Sequence, residues 1–148
     1  MGPNEERAFS GTFLTNYSTM DYNAYYRNEK GFRWRSPDND DLNNADESEL
    51  QWKEAIDLKS FSMMTGWEEH GIQVDYSILQ KVTPPDPAKK GTVYPKDGTD
   101  FRLVDGSNAV DAGIVLPNIN DHFSGKAPDM GALETGNIPV VYGARKKQ

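Results

Sequence analysis

The second half of the chain contains a long stretch in which turn residues leave little room for regular secondary structure. Residues 105–134 form a string of Gly, Pro and Asp turns with single apolar residues between them. Gly and Asp suit tight bends, and Pro can neither continue a helix nor donate to a central strand. Residues 84–87 (PPDP) block a regular element, and residues 100–104 (DFRLV) predict one short strand. The sequence therefore predicts an irregular backbone here, followed by a loose tail at 135–148.

The first half predicts short strands and one helix. Residues 8–35 are rich in aromatic residues and interrupted by Gly and Asn, which is typical of short strands joined by tight bends. Residues 36–49 are acidic and have almost nothing to bury, so they predict a surface loop. A helix is predicted over 48–66, with Ser48 as its N-cap and the final glycine as its stop. Apolar and polar residues alternate over 72–79, which predicts a half-buried strand.

Charge and composition argue against several classes of function. The net charge is −7, and the one basic cluster lies at 145–147, so the sequence lacks the basic stripe that neutralises nucleic-acid phosphates. The chain has no cysteine, which excludes disulfides and cysteine-ligated zinc. No apolar run approaches the ~20 residues of a membrane-spanning helix, and the acidic N-terminus does not resemble a signal peptide. We therefore expect neither a nucleic-acid partner nor a membrane partner.

Three segments of the second half match a known pattern. They read DFRL at 100–103, GSNAVDAG at 106–113 and GKAPDMGALE at 125–134. Together they resemble the closing signature of bacterial proteins that fold as a right-handed parallel β-helix, in the pectin-lyase-like superfamily. Asn108 stands where that pattern usually has Pro, and Leu133 stands where it has an aromatic residue. Neither departure should destroy the turn geometry, since Asn tolerates tight bends.

The resemblance implies a mainly β fold: the last few coils and the C-terminal closing region of a right-handed parallel β-helix, with a short helix and long loops. It divides the chain into partial coils at 1–95, which include an acidic loop and helical insertion at 36–66, a closing module at 96–134 and a tail at 135–148. A coil cannot bury its apolar face alone, so we expect upstream coils of a longer protein as partners. The resemblance places that parent protein outside the cell or on its surface.

The function implied by the resemblance is structural closure of a carbohydrate-associated protein, together with polysaccharide binding. The alternative is that the chain is part of a polysaccharide lyase or glycoside hydrolase that acts on an acidic glycan with calcium. A lyase needs a base that removes a proton next to a carbonyl group. The sequence offers six candidates for this base: Arg27, Arg33, Arg35, Lys53, Lys59 and His70. None lies in a catalytic motif, so we expect surface charge and no complete active site.

Exposed aromatic residues are the candidate carbohydrate-binding residues, because flat rings stack on the faces of sugar rings. In a strand over 21–27, Tyr22, Ala24 and Tyr26 share one face while Tyr25 points the other way. One of these faces must be core, so only some of the tyrosines can contact a ligand. We predict four binding residues: Tyr25, Trp34, Trp67 and His70.

His70 and the acidic loop are the remaining candidates for chemistry. His70 lies in a turn that could hold its imidazole near Asp75, where we expect a hydrogen-bonded turn residue rather than a catalyst. An acidic polysaccharide would need a local basic patch or a bridging divalent cation. Calcium is the cofactor left open, with the four aspartates between 38 and 46 as ligands, but the spacing of an EF-hand loop is absent. We expect a plain solvated loop there.

Five residues of the closing signature are predicted to be structural: Asp111, Gly113, Asp129, Gly131 and Glu134. An Asp side chain can accept hydrogen bonds from nearby backbone N–H groups and lock a tight turn. The glycines allow backbone arrangements that a Cβ atom forbids. A cation or sugar site at these carboxylates is the alternative, and we favour turn locking.

Overall fold

The computed structural model describes residues 7–12, 17–26, 31–36, 50–86, 88–89, 91–94 and 98–137. Contacts along the chain divide it into two compact units, which we call unit 1 (Met1–Ile78) and unit 2 (Leu79–Gln148). The described strands and helix are β1 (Phe9–Thr12), β2 (Ala24–Tyr26), β3 (Phe32–Arg35), β4 (Lys53–Ala55), α1 (Leu58–Thr65), β5 (Ile72–Val74), β6 (Leu79–Lys81) and β7 (Asp100–Leu103), with a 3-10 turn at Tyr76–Ile78. Among the residues described, no helix has the length and apolar character needed to cross a membrane.

The described residues of unit 1 form two small sheets. In the first, the central strand β3 pairs in parallel with β1 and antiparallel with β4. In the second, β2 and β5 pair in parallel, with Ala24 opposite Ile72 and Tyr26 opposite Val74. Because the side chains of a strand alternate between its two faces, each sheet has one face available for the core and one for solvent.

The core of unit 1 is built from aromatic residues. In β3 the alternate residues Phe32 and Trp34 are buried, while the two arginines of the strand are partly exposed. Phe61 of helix α1 has no exposed surface; its ring stacks on Phe32 at 4.8 Å between centroids and meets Trp34 edge-on at 5.2 Å. Ala55 and Leu58 complete the buried cluster. Aromatic rings bury much apolar area per residue, so a small core of this kind can hold short strands together.

Helix α1 begins nine residues later than the sequence predicted, counted from N-cap to N-cap. Its N-cap is Asp57, whose carboxylate accepts a hydrogen bond from the backbone N–H of Ser60 at 2.7 Å, while the Ser60 hydroxyl accepts one from the Asp57 N–H. This reciprocal capping satisfies N–H groups that have no partner within a helix. The predicted N-cap, Ser48, lies outside the described residues. The predicted end is confirmed, because Gly66 has the left-handed conformation (φ 74°) that favours glycine.

Residues 53–55 form a strand where the sequence predicted a helical turn. Lys53 pairs with Trp34 of β3, and Ala55 pairs with Phe32. The small Ala55 side chain is buried at this pairing. The gain from packing against β3 outweighs the helical preference of Lys, Glu and Ala, which is weak compared with tertiary contacts.

Unit 2 has little regular structure. Strands β6 and β7 pair antiparallel, with Leu79 opposite Leu103. The described chain from 104 to 137 contains only turns and bends, which confirms the predicted irregular backbone. The buried hydrophobic residues described in this unit are Leu103 and Ala109.

The predicted parallel β-helix is wrong for the described residues. Successive coils of a β-helix stack their strands in parallel, whereas β3–β4 and β6–β7 pair antiparallel and the seven described strands form three separate sheets. Strands of three or four residues and one helix make a small mixed α/β structure instead. Apart from DFRL, which forms β7, the segments that carried the resemblance consist of turns and bends, and turns of this kind can join strands in many folds. The division at 95/96 expected from the resemblance stays a prediction.

Candidate carbohydrate-binding surface

Trp34 cannot serve as a sugar-binding residue in this structure. Its side chain is only 4% exposed and packs against Phe61 in the core. The prediction failed because Trp34 and Phe32 occupy the inward positions of β3. Trp52 is more exposed, but the guanidinium groups of Arg33 and Arg35 lie over its ring, 3.8 Å and 4.5 Å from the centroid. Its ring is therefore engaged within the protein.

Tyr25 and Trp67 are half-buried and also pack against the core. The ring of Tyr25 meets Phe32 edge-on at 5.1 Å, and its hydroxyl donates a hydrogen bond to Glu68 at 2.8 Å. Burial and this bond to a carboxylate raise the pKa of Tyr25, because both disfavour the phenolate. The ring of Trp67 lies 6.2 Å from that of Phe61. Both side chains therefore contribute to the packing of the core of unit 1.

Glu68 anchors the segment before β5 to the segment before β2. Its side chain is buried and accepts hydrogen bonds from the Asn23 amide at 2.6 Å, the Asn23 backbone at 3.3 Å and the Tyr25 hydroxyl. Its own backbone N–H donates to the carbonyl of Met20 at 2.8 Å. A buried carboxylate is costly unless it is hydrogen-bonded in this way. Glu68 could not be recognised from the sequence, because its side-chain partners lie more than forty residues away along the chain.

The opposite face of the β2–β5 sheet points away from the core. Because Tyr25 packs inward, Ala24 and Tyr26 project outward, and both are exposed. Their register partners Ile72 and Val74 are partly exposed. The outward face is thus the one with Tyr26, not the one with Tyr25 that the sequence analysis selected.

Two aromatic ring pairs lie at the two ends of this sheet. At the amino end, Tyr22 stacks on His70 with 4.7 Å between centroids and an angle of 6° between the rings. At the carboxyl end, Tyr26 meets Tyr76 edge-on at 4.7 Å. We call these four residues, together with the Ala24, Ile72 and Val74 side chains of the sheet, the aromatic strip. Of the four predicted binding residues, only His70 belongs to it.

Asp21 holds His70 in place at the amino end of the strip. One carboxylate oxygen lies 2.7 Å from the His70 Nδ1 atom, and the other accepts the His70 backbone N–H at 2.7 Å. The predicted neighbour, Asp75, instead accepts a hydrogen bond from the backbone of Ser77. The hydrogen bond to Asp21 raises the pKa of His70. Partial desolvation opposes the change at Asp21, but the bonds from His70 and from the Tyr22 backbone leave the Asp21 pKa below its ordinary value.

The carboxylates of the closing signature hold the backbone of unit 2. Asp129 is buried, and its two oxygens accept hydrogen bonds from the backbone N–H groups of Asp111 at 2.8 Å and Thr135 at 2.6 Å. Its own N–H donates to Glu134 at 3.0 Å. Asp111 in turn accepts the Lys126 N–H at 2.8 Å. This is turn-locking geometry, and it leaves neither oxygen of Asp129 without a protein partner.

Gly113 and Gly131 are required for close approach. The Gly113 N–H donates to the carbonyl of Pro128 at 2.7 Å, and a Cβ at this position would lie 2.8 Å from that oxygen. A Cβ at Gly131 would lie 3.2 Å from the side chain of Leu103, the main buried apolar residue of unit 2. The two glycines thus bring neighbouring turns together, which is one of the ordinary uses of a residue without Cβ.

The described part of the chain contains no group of three or more His, Cys, Asp or Glu residues that could hold a metal ion. The aspartates at 38–46, which were the candidate calcium ligands, lie outside the described residues. A calcium requirement therefore stays a prediction. Comparison of the chain with protein-family models, with curated proteins and with solved structures found no match in any of the three.

Proposed function

We propose that this protein is a non-catalytic carbohydrate-binding protein whose ligand lies along the aromatic strip of unit 1. The observation that carries the proposal is the presence of an aromatic ring pair at each end of one two-stranded sheet, whose outer face holds the exposed Tyr26. Tyrosine presents apolar area on a stiff side chain together with a polar hydroxyl, which suits contact with a partly polar ligand.

The dimensions of the strip favour an oligosaccharide over a single sugar. Tyr22 and Tyr26 are four residues apart, which corresponds to at most about 13 Å along a strand. Ala24 and Ile72 lie between the two ring pairs, and the aliphatic Val74 lies opposite Tyr26. A glycan chain could therefore place apolar ring faces on both pairs without meeting a bulky residue between them. At the amino end, Asp21 and His70 offer polar atoms at the rim for sugar hydroxyls.

A second candidate function is turnover of the bound glycan by a lyase or hydrolase reaction. The observation in its favour is the Asp21–His70 pair, because a carboxylate that orients an imidazole is a common arrangement for a general base. Against it, the pair is exposed and no group of metal ligands is present among the described residues. Binding requires only the strip, so we favour it.

The test is a binding measurement on the full chain with a panel of neutral and acidic polysaccharides, with and without calcium. We expect saturable binding to at least one polysaccharide. In Tyr22→Ala and in Tyr26→Ala we expect affinity to fall by about tenfold or more, which corresponds to about 1.4 kcal/mol. Tyr17→Ala is the matched control, since Tyr17 is an exposed tyrosine of unit 1 outside the strip.

Two outcomes would overturn the proposal. Equal affinity of Tyr17→Ala and the two strip variants would place the ligand elsewhere. Release of reducing sugar or of an unsaturated product that disappears in His70→Gln would show that the chain is an enzyme. Binding that depends on calcium would support the predicted cation site at the aspartates between 38 and 46.

A further inference from the structure

Unit 2 contains a cavity of about 440 Å³ that the aromatic strip does not involve. Its lining includes the side chains of Gln80, Arg102, Leu103, Asp105 and Thr135. We propose that this cavity binds a single neutral sugar ring, as a second carbohydrate site independent of the strip. The volume lies within the ~300–1,000 Å³ typical of small-ligand sites.

The polar groups of the cavity retain hydrogen-bonding capacity. The Gln80 amide nitrogen donates to the carbonyl of Leu103 at 3.1 Å, which leaves the amide oxygen to accept. Arg102 uses Nε and Nη2 for Asp100, which leaves the Nη1 group to donate. The Asp105 carboxylate is exposed and has no hydrogen bond within the described part of the chain. Residues with spare donors and spare acceptors thus line the same cavity, and a sugar hydroxyl group can act as both donor and acceptor.

Charge in the cavity favours a neutral ligand over an anion. The Arg102 guanidinium is already paired with Asp100, at distances of 2.5–3.0 Å. This hydrogen bonding holds the pKa of Asp100 at about 2, so the carboxylate stays charged. Asp105 adds a second negative charge at the lining. A phosphate or a uronate would therefore meet one neutralised cation and one unpaired carboxylate, whereas sugar hydroxyls carry no such penalty.

The wall of the cavity has an apolar part that suits a sugar ring. Gln80, Arg102 and Thr135 line the cavity and carry aliphatic carbons beside their polar groups, whereas Leu103 is only 1% exposed and presents almost no surface to it. Sugar rings combine hydroxyl edges with apolar C–H faces, so a lining with aliphatic carbons and several polar side chains matches them.

The experiment is a titration of the full, isotope-labelled chain with glucose, galactose and mannose, followed by NMR. We expect saturable shifts of the Gln80 side-chain amide and of the backbone amides at 135–137 for at least one sugar. Gln80→Ala and Asp105→Asn should each weaken that binding by about tenfold. Glu69→Gln, the same change at an exposed carboxylate of unit 1, should leave it unchanged.

Charged probes test the ligand class. Glucuronate and inorganic phosphate should bind more weakly than the neutral sugar, and tighter binding of either would overturn the proposal. Absence of saturable shifts at the cavity with all three neutral sugars would also overturn it. The double variant Tyr22→Ala/Tyr26→Ala separates the two sites: it should abolish polysaccharide binding while the shifts at the cavity persist. Wild-type-like spectra of each variant away from the cavity show that the fold is retained.

Discussion

Units 1 and 2 hold their backbones together by different means. In unit 1, buried aromatic rings from β3 and α1 interlock, and Phe61 contacts Phe32 and Trp34 at once. In unit 2, the buried carboxylate of Asp129 accepts backbone N–H groups from two different turns, and the apolar contribution described there is limited to Leu103 and Ala109. The first unit is stabilised mainly by apolar burial and the second mainly by hydrogen bonds from side chain to backbone.

The difference follows from what each backbone leaves unsatisfied. Strands and helices pair most of their own N–H and C=O groups, so their side chains are free to pack. An irregular backbone such as 104–137 has no ladder, and its buried N–H groups need another acceptor. Short acidic side chains provide it from within the turns. A chain with many aspartates and few large apolar residues can therefore still order a long irregular stretch.

The largest expected change in the free energy of unfolding comes from the aromatic core of unit 1. Phe61→Ala should lower the free energy of unfolding by about 3–5 kcal/mol, because it removes a fully buried ring and leaves a cavity. The measurement is denaturant unfolding followed by tryptophan fluorescence, which reports unit 1 because all three tryptophans lie there. Met63→Ala on the same helix is the control; Met63 is 80% exposed, so its effect should stay within about 0.5 kcal/mol. A loss below about 1 kcal/mol for Phe61→Ala would contradict the packed core.

A smaller loss of stability is expected when the side-chain-to-backbone hydrogen bonds of unit 2 are removed. Asp129→Ala should cost about 2–3 kcal/mol, because two backbone N–H groups lose their acceptor in a buried setting. Amide hydrogen exchange should show the loss of protection at Asp111 and Thr135 specifically. Asp121→Ala is the control: its carboxylate accepts the Asn118 N–H in an exposed loop, where water can replace it. Equal losses in the two variants would mean that burial of the Asp129 carboxylate does not matter.

The smallest expected effect concerns the exposed pair of Asp21 and His70. The raised pKa of His70 means that the pair stabilises the fold below pH 6.5, the ordinary His value, and that this contribution is lost as pH rises through the raised pKa. The lowered pKa of Asp21 means that the contribution is also lost as pH falls below 3.8 and through the lowered pKa. Stabilisation is therefore greatest between these two values.

The check is the midpoint of thermal unfolding at pH 5 and pH 8. Relative to wild type, His70→Gln should lose more stability at pH 5 than at pH 8, because the charged pair contributes less as pH rises through the raised pKa of His70. His122→Gln, the same substitution in unit 2, is the control. A difference between wild type and His70→Gln that does not change with pH would show that the contact acts by packing on Tyr22 instead.

Features that depend on neighbouring residues could be predicted from the sequence. The end of α1 at Gly66, the strand at 100–103 and the turns after residue 104 are all present. Each is determined by local chemistry, such as a glycine at a left-handed position or a succession of turn residues. Of the predicted alternation of Tyr22, Ala24 and Tyr26, the part within β2 is present, whereas Tyr22 precedes the strand and has a left-handed backbone conformation.

Features that depend on distant partners could not be predicted. Which face of β2 is buried is decided by Phe32 and Glu68, and nothing in residues 21–27 contains that information. Residues 53–55 become a strand because β3 lies beside them. The β-helix expectation rested on one short strand, β7, and on turn residues whose geometry is shared by unrelated folds. The sequence therefore pointed to Tyr25 as a binding residue, whereas its neighbour Tyr26 lies on the outward face.

Two bulky residues of unit 1, Tyr22 and Glu68, adopt left-handed backbone conformations with φ of 58° and 55°. Such positions cost roughly 1–2 kcal/mol for an ordinary residue and are filled most cheaply by Gly or Asn. Random substitution at these positions should therefore favour Gly or Asn wherever the original side chain has no function. In a lineage of this protein, retention of tyrosine at 22 would mark selection for its ring, and retention of glutamate at 68 would mark selection for the anchor beneath it. A drift to glycine at 22 with glutamate kept at 68 would show that the fold is selected without the strip.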